Sequence, residues 1–186
     1  MLPLKLKYHM QYKGRENVPD EGAYILASNH REAVDPIFLG IGLKRQVHFM
    51  AKAELFKKNK LLNWFFLKLG AFPVERDSSA ARGAIKHFEQ VVSDGRLMGI
   101  FIEGTRSKTD DFLPPKNGVS LIAWDTKTPV IPVCITKIGK KRIIHYGKTL
   151  SLADMGFDKG GAREFRNASR TIMDHIKALR ELDLSE

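Results

Sequence analysis

Two apolar runs, Leu97–Ile102 and Val130–Ile135, restrict this chain more than any other feature. Neither alternates apolar with polar residues, so neither suits a sheet with one wet face. Each suits a strand of a central sheet covered on both sides. Shorter segments at Tyr24–Ala27, Val47–Met50 and Phe72–Val74 read as further strands. Lys5–Tyr12 alternates as a half-exposed strand would, and Arg142–Tyr146 adds another. Pro132 lies inside an apolar run, which predicts an edge position or a bulge there.

Helical spacing fills the intervals. Ser78–Val92 carries Ala81, Ala84, Ile85, Phe88, Val91 and Val92 at helical positions, with Ser78 or Ser79 as N-cap and Gly95 as stop. Gly118–Asp125 is a short helix, and Ala162–Leu182 aligns Phe165, Ser169, Ile172, Ile176 and Leu179 on one face. Strands alternating with helices predict an α/β layered domain with a largely parallel or mixed central sheet flanked by helices. At 186 residues, without repeat, low-complexity tract or linker, the expectation is one domain over residues 1–186.

The formal charge of +10 favours an anionic partner: nucleic acid, an anionic membrane surface or a phosphorylated substrate. No aromatic ribonucleoprotein-type block and no zinc-ligand spacing supports the first, so nucleic acid is not expected. The single cysteine, Cys134, sits in an apolar run and reads as a buried, inert thiol in a reducing compartment. The N-terminus has no signal-peptide pattern, and no stretch approaches the roughly 20 apolar residues of a spanning helix. Leu55–Leu69 mixes Trp64, Phe65, Phe66 and several leucines with Lys57, Lys58, Lys60 and Lys68. That composition fits a segment lying in a membrane interface, or a buried helix with a lysine-rich edge. Both hold if the segment walls a channel for an acyl chain.

The chemistry concentrates in four short stretches. Ser28 to Pro36 follows an apolar strand and places His30 and Asp35 five residues apart. A neutral imidazole held by a carboxylate can take a proton from an alcohol near neutral pH. The plainer reading makes Asp35 a helix N-cap before Pro36 and His30 an ordinary loop residue. Gly70 to Asp77 places Arg76 after a short strand. Phe101 to Ser107 places Glu103, Gly104, Thr105 and Arg106 after a core strand. Lys116-Asn117-Gly118 precedes a helix whose N-terminal amides can face an anion. Singly, Arg76 could pair with Glu75 or Asp77, Glu103 to Arg106 could form a tight turn with a local ion pair, and Lys116 could be solvated.

Taken in order, these stretches resemble the glycerolipid acyltransferase family. That family shows Asn-His, four residues and Asp, here Asn29-His30 with Asp35. It continues with a block from Gly to Arg (Gly70 to Arg76), a Phe-x-Glu-Gly-Thr-Arg-Ser block (Phe101 to Ser107) and a Val-Ile-Pro-Val block (Val130 to Val133). The upstream pattern, Gly14 to Asn17, Val18-Pro19 and Gly22, also belongs to it. Pro73-Val74-Glu75 departs from the more usual Phe-Ile-Asp wording but leaves Arg76 in place. Family members often carry a hydrophobic N-terminal helical segment that grips the membrane. This chain begins almost at its first strand, so attachment is expected on another surface, such as Leu55–Leu69.

The resemblance implies transfer of a fatty acyl group from a thioester to a glycerol hydroxyl, with 1-acylglycerol-3-phosphate as the favoured acceptor and phosphatidic acid as product. His30 would be the base and Asp35 its orienter. No Gly-x-Ser-x-Gly elbow occurs, so direct transfer without an acyl-enzyme is expected. Arg76, Arg106 and Lys116 would hold the acceptor phosphate. Glu103 would bind a glycerol hydroxyl or position Arg106. The Gly104 amide is a candidate oxyanion donor, with Thr105 and Ser107 weaker candidates. No metal and no bound cofactor are expected. The donor substrate is acyl-CoA or acyl-acyl carrier protein, which leaves an acyl carrier protein open as a partner. A peripheral protein on the cytoplasmic face of an anionic membrane follows. Other acceptors for the same chemistry are glycerol-3-phosphate, a lyso-ornithine lipid or another lysophospholipid. The remote alternative is a non-enzymatic protein binding anionic lipid or nucleic acid.

Overall fold

The structure, a computed structural model, describes residues 8–57, 59–74 and 87–185. Its strands are β1 (His9–Lys13), β2 (Tyr24–Ser28), β3 (Val47–Lys52), β4 (Ala71–Val74), β5 (Leu97–Phe101), β6 (Val130–Ile138) and β7 (Lys141–Tyr146). The helices are α1 (Asp35–Ile41), α2 (Ala53–Lys57), α3 (Lys60–Lys68), α4 (described over 87–93), α5 (Gly118–Thr126) and α6 (Ala162–Leu184). Together they form a single α/β domain around a mixed seven-stranded sheet, ordered β1-β7-β6-β2-β5-β3-β4.

Five neighbouring strands, β6-β2-β5-β3-β4, run parallel, while β7 is antiparallel to β6 and β1 parallel to β7. Alternation along β2 divides the core. Ile25 and Ala27 face a layer that includes Phe88 of α4, Val119 and Ile122 of α5 and Ile172 and Ile176 of α6. Leu26 faces the opposite layer with Phe38 and Leu39 of α1. A helix as short as α1 is not stable alone. The full burial of Phe38 and Leu39 holds it, at about 1.5–3 kcal/mol each.

The chain leaves β2 through α1 to reach β3, passing over β5, and leaves β5 through α5 to reach β6, passing over β2. The two connections depart in opposite directions and cover opposite faces. The C-terminal ends of β2 and β5 therefore splay at a topological switch point, where a parallel sheet opens a crevice.

The expected strands and helices appear with ends moved by a few residues. The expected helix Ser78–Val92 is described only from residue 87, and the expected first strand only from residue 8. Leu55–Leu69 is two short helices, α2 and α3, rather than one. Pro132 is a correction. It lies on β6, third in the sheet and not an edge strand, and it pairs in register with Ala27. The last β6–β7 pair is Val133 with Tyr146, and the Pro132 carbonyl accepts from the Gly147 N–H at 2.8 Å. The side of Pro132 that lacks a donor thus faces the point where β7 has ended, so an interior strand tolerates it.

Candidate active site

β2 delivers His30 to the switch point, and hydrogen bonds to the two neighbouring strands, β5 and β6, and the loop after β5 fix it there. Asn29, 1% exposed, extends the ladder beyond the end of β2. Its side-chain oxygen accepts from the Ile135 N–H at 2.8 Å, and its Nδ2 donates to the Ile135 carbonyl at 3.1 Å. On the other side, the Ile102 N–H donates to the Ser28 carbonyl and the Ser107 N–H to the His30 carbonyl, at 2.9 and 2.8 Å. The backbone on both sides of His30 is thereby stitched to both neighbours.

The imidazole has a defined partner at Nδ1 and another on one ring face. His30 Nδ1 lies 2.8 Å from Asp35 Oδ2. The same oxygen accepts from the Arg31 N–H at 2.6 Å and the Glu32 N–H at 2.7 Å. A carboxylate oxygen receiving donors is an acceptor, so Nδ1 carries the ring proton and Nε2 keeps its lone pair. Asp35 opens α1, yet its side chain turns back onto the loop before it, and the N-cap position is Val34 with no side-chain cap. The helix-cap reading of Asp35 therefore fails. With a 1%-exposed side chain against 17% for His30, Asp35 is the buried member of the pair and His30 the accessible one.

The ring lies flat on Phe101 at 3.9 Å between centroids and 15° between planes. Phe101 stacks in turn on Phe49 at 6.1 Å. Gly99 makes room for this column, because a Cβ there would come within 2.1 Å of the Phe49 ring. Glu32, inside the His30–Asp35 loop, is held by the largely buried Arg142 at 2.7 Å.

Glu103 behaves differently from expectation. It is 1% exposed. Its Oε1 accepts from the His30 N–H at 3.2 Å and its Oε2 from the Leu113 N–H at 3.1 Å. Both oxygens thus hold backbone amides, and among the described residues no ion pair joins Glu103 to Arg106. Burial pushes its pKa up, opposed by those two amides. Gly104 is a second correction. Its backbone is left-handed at φ +69°, which glycine adopts without strain. Its N–H donates to the Phe101 carbonyl at 3.0 Å and is not free to receive an oxyanion.

Thr105 and Arg106 are exposed beside this turn, and Lys116 is exposed with its side chain passing the Gly104 backbone. Arg106 and Lys116 are thus brought to the same end of the sheet as His30. Arg76, expected to join them, lies outside the described residues. Ser107 is buried, and its hydroxyl lies within the turn, 2.9 Å from the Asp111 carbonyl and 3.1 Å from that of Thr109. Cys134, its pKa pushed up to about 12 by burial, is an inert core thiol.

Four further residues build this site. Asn29 and Phe101 stand within the motifs, where only their position marks them. Arg31, adjacent to His30, grips the Thr109–Asp110 turn, reaching the Asp110 carboxylate at 2.5 Å and the Thr109 and Asp110 carbonyls. Arg142 acts from a strand more than a hundred residues away. An imidazole with a free Nε2, a buried carboxylate on Nδ1 and exposed cations nearby can deprotonate a hydroxyl on an anionic molecule.

A family profile for acyltransferases matches residues 9–136. The chain belongs to the acyltransferase family. This acyltransferase is 35% identical over 161 residues to the 1-acyl-sn-glycerol-3-phosphate acyltransferase of Bacillus subtilis, covering 81% of this chain and 78% of that protein. The protein of the same name from Streptococcus pneumoniae is 31% identical over 155 residues, covering 77% of this chain and 56% of that one. The acyltransferase therefore spans about half of the pneumococcal relative. The crystal structure of the 1-acyl-sn-glycerophosphate (LPA) acyltransferase from Thermotoga maritima superposes with a TM-score of 0.73 at 26% identity, covering 95% of this chain and 73% of that one.

Proposed function

We propose that the protein transfers a fatty acyl group from an acyl thioester to the sn-2 hydroxyl of 1-acylglycerol-3-phosphate, giving phosphatidic acid. One observation carries the reading: the 2.8 Å contact from His30 Nδ1 to Asp35, which directs the open Nε2 outward. Nε2 takes the hydroxyl proton as the oxygen attacks the thioester carbonyl. Asp35 stabilises the imidazolium that forms. The tetrahedral intermediate collapses with cleavage of the C–S bond, and the imidazolium returns its proton to the departing thiolate. No enzyme nucleophile enters the sequence of steps. Arg106, Lys116 and Arg76 hold the acceptor phosphate, Arg by paired hydrogen bonds and Lys as a point charge. The names of the relatives support this acceptor. The donor, acyl-CoA or acyl-acyl carrier protein, is a substrate rather than a resident cofactor.

The lipid nature of acceptor and product places the protein peripherally on an anionic membrane, at its cytoplasmic face. Among the described residues no helix is long and apolar enough to cross a membrane.

The test uses purified protein with each donor and a panel of acceptors: 1-acylglycerol-3-phosphate, glycerol-3-phosphate, a lyso-ornithine lipid and lysophospholipids with larger headgroups. Phosphatidic acid formed from the first, and a loss of about 10²–10⁴-fold in His30→Ala, is the expected result. Preferred use of another acceptor would overturn the substrate assignment, and unchanged turnover in His30→Ala would overturn the base.

A further inference from the structure

A surface that the chemistry does not use runs along the edge of the sheet, from the strand ends on the His30 side down to Lys68, whose carbonyl accepts from the Gln46 side chain just before β3. β3 runs parallel to β5, and its last residue, Lys52, leads without a loop into α2 and then α3. The α2–α3 pair therefore starts from the strand end nearest the crevice and packs beside β4, the sheet's edge. On α3, Lys60, Trp64, Leu67 and Lys68 stand at helical spacings of four, seven and eight residues from the first, so they share one face. All four are exposed, with Trp64 at 58% and Leu67 at 53%. Lys57, at the end of α2, is exposed too. The sequence from Leu55 to Val74 contains no aspartate or glutamate.

We propose that this face of α3 is the membrane-docking surface, with Trp64 and Leu67 entering the headgroup–acyl boundary of an anionic bilayer and Lys57, Lys60 and Lys68 lying against its phosphates. The inference rests on the lipid-acceptor reading above and adds the surface through which that lipid is met. An amphipathic ring with a neighbouring leucine, bracketed by lysines, matches the layered polarity of a bilayer interface. A protein partner would match the apolar pair as well. The absence of any acid in the segment, together with a formal charge of +10, favours a uniformly anionic sheet of phosphates over a mixed protein surface.

The test measures co-sedimentation with vesicles of phosphatidylcholine, with and without phosphatidylglycerol. It also follows Trp64 emission in a Trp124→Phe background, which leaves Trp64 as the remaining tryptophan. Binding is expected to be strengthened by the anionic lipid, with a gain that weakens as salt rises. Trp64 emission should shift to the blue and be quenched by lipids brominated near the headgroup end of the acyl chain. Lys57→Gln/Lys60→Gln/Lys68→Gln should lower partitioning by about fivefold per lysine, roughly a hundredfold together. Trp64→Ser/Leu67→Ser should remove the part of binding that survives high salt. Both variants should retain turnover of detergent-dispersed substrate, which separates this proposal from the catalytic one. Vesicle binding that is absent, or unaffected by both variants, or a Trp64 signal unchanged by vesicles, would overturn it. If detergent activity is absent in the wild type while these vesicle results hold, the acceptor reading fails and the docking face stands.

Discussion

Replacing Glu103 by glutamine separates the role read from its sequence motif from the role given by its surroundings. Each carboxylate oxygen takes one backbone N–H, that of His30 at 3.2 Å and that of Leu113 at 3.1 Å. Glutamine keeps the size but offers one acceptor, and its NH2 group then faces a second donor. One amide is left buried without a partner, at about 1–3 kcal/mol. Relief of the buried charge offsets part of this, so a net loss of about 1–2 kcal/mol near neutral pH is expected, toward the lower end of that range. One of the two amides belongs to His30, the proposed base. A displacement of about 1 Å in a reacting group costs on the order of 10²-fold in rate. The expected result is a fall in kcat of roughly 10–100-fold with the acceptor KM unchanged.

The pH dependence adds a second reading. Burial raises the folded-state pKa of Glu103 above the ordinary glutamate value. Its contribution to stability is therefore complete below the ordinary value and is lost as pH rises through the folded one. Glu103→Gln lacks that dependence. The gap in Tm between wild type and variant should narrow as pH rises from the ordinary glutamate range. Steady-state kinetics and melting curves across pH provide the assay. A raised acceptor KM with kcat and Tm intact would refute the reasoning and return Glu103 to the substrate.

Asp35→Asn should reduce turnover by about 10²–10⁴-fold, because the amide oxygen, held in the Oδ2 place by the Arg31 and Glu32 N–H groups, keeps the Nδ1 contact but brings no negative charge to stabilise an imidazolium; a change in Tm alone, with rate preserved, would argue against it. Phe101→Leu should lower kcat by about two- to fivefold without changing acceptor KM, since the stacked ring at 3.9 Å holds the plane of the imidazole; Phe101→Tyr should restore the rate. Arg106→Ala and Arg76→Ala should each weaken use of the phosphorylated acceptor by about 1.5–3 kcal/mol while sparing background thioester hydrolysis. Equal losses in both reactions would assign these arginines to structure.

The fold was readable where one physical signal dominated. Unbroken apolar runs such as Leu97–Ile102 have few alternatives to a doubly covered strand, and α6 repeats its buried positions over several turns. Pro132 misled because proline's cost depends on which side of a strand lacks a partner, a property of the neighbouring strand's length. The segment Leu55–Leu69 was ambiguous for a related reason. Apolar residues cover too much of its circumference for one helix, and the break that resolves it falls around Asn59, whose carbonyl opens α3.

Within the site, the pair His30–Asp35 was legible because both residues lie on one short loop and meet through side chains whose chemistry is written in their identities. The groups that hold that pair were not legible, because their partners are backbone atoms or distant side chains. Glu103 binds two N–H groups, and every residue but proline has one, so no residue type marks them. Asn29 reaches Ile135 on β6, and Glu32 is held by Arg142 on β7. The loop between His30 and Asp35 is therefore shaped from both sides of the switch point, by β5 on one flank and by β6 and β7 on the other. A core substitution that shifts β6 moves Asn29 through Ile135, and through it the base, without touching the loop itself. Catalytic sensitivity should for that reason extend along β6, into a segment whose own sequence carries only the pattern of a buried strand.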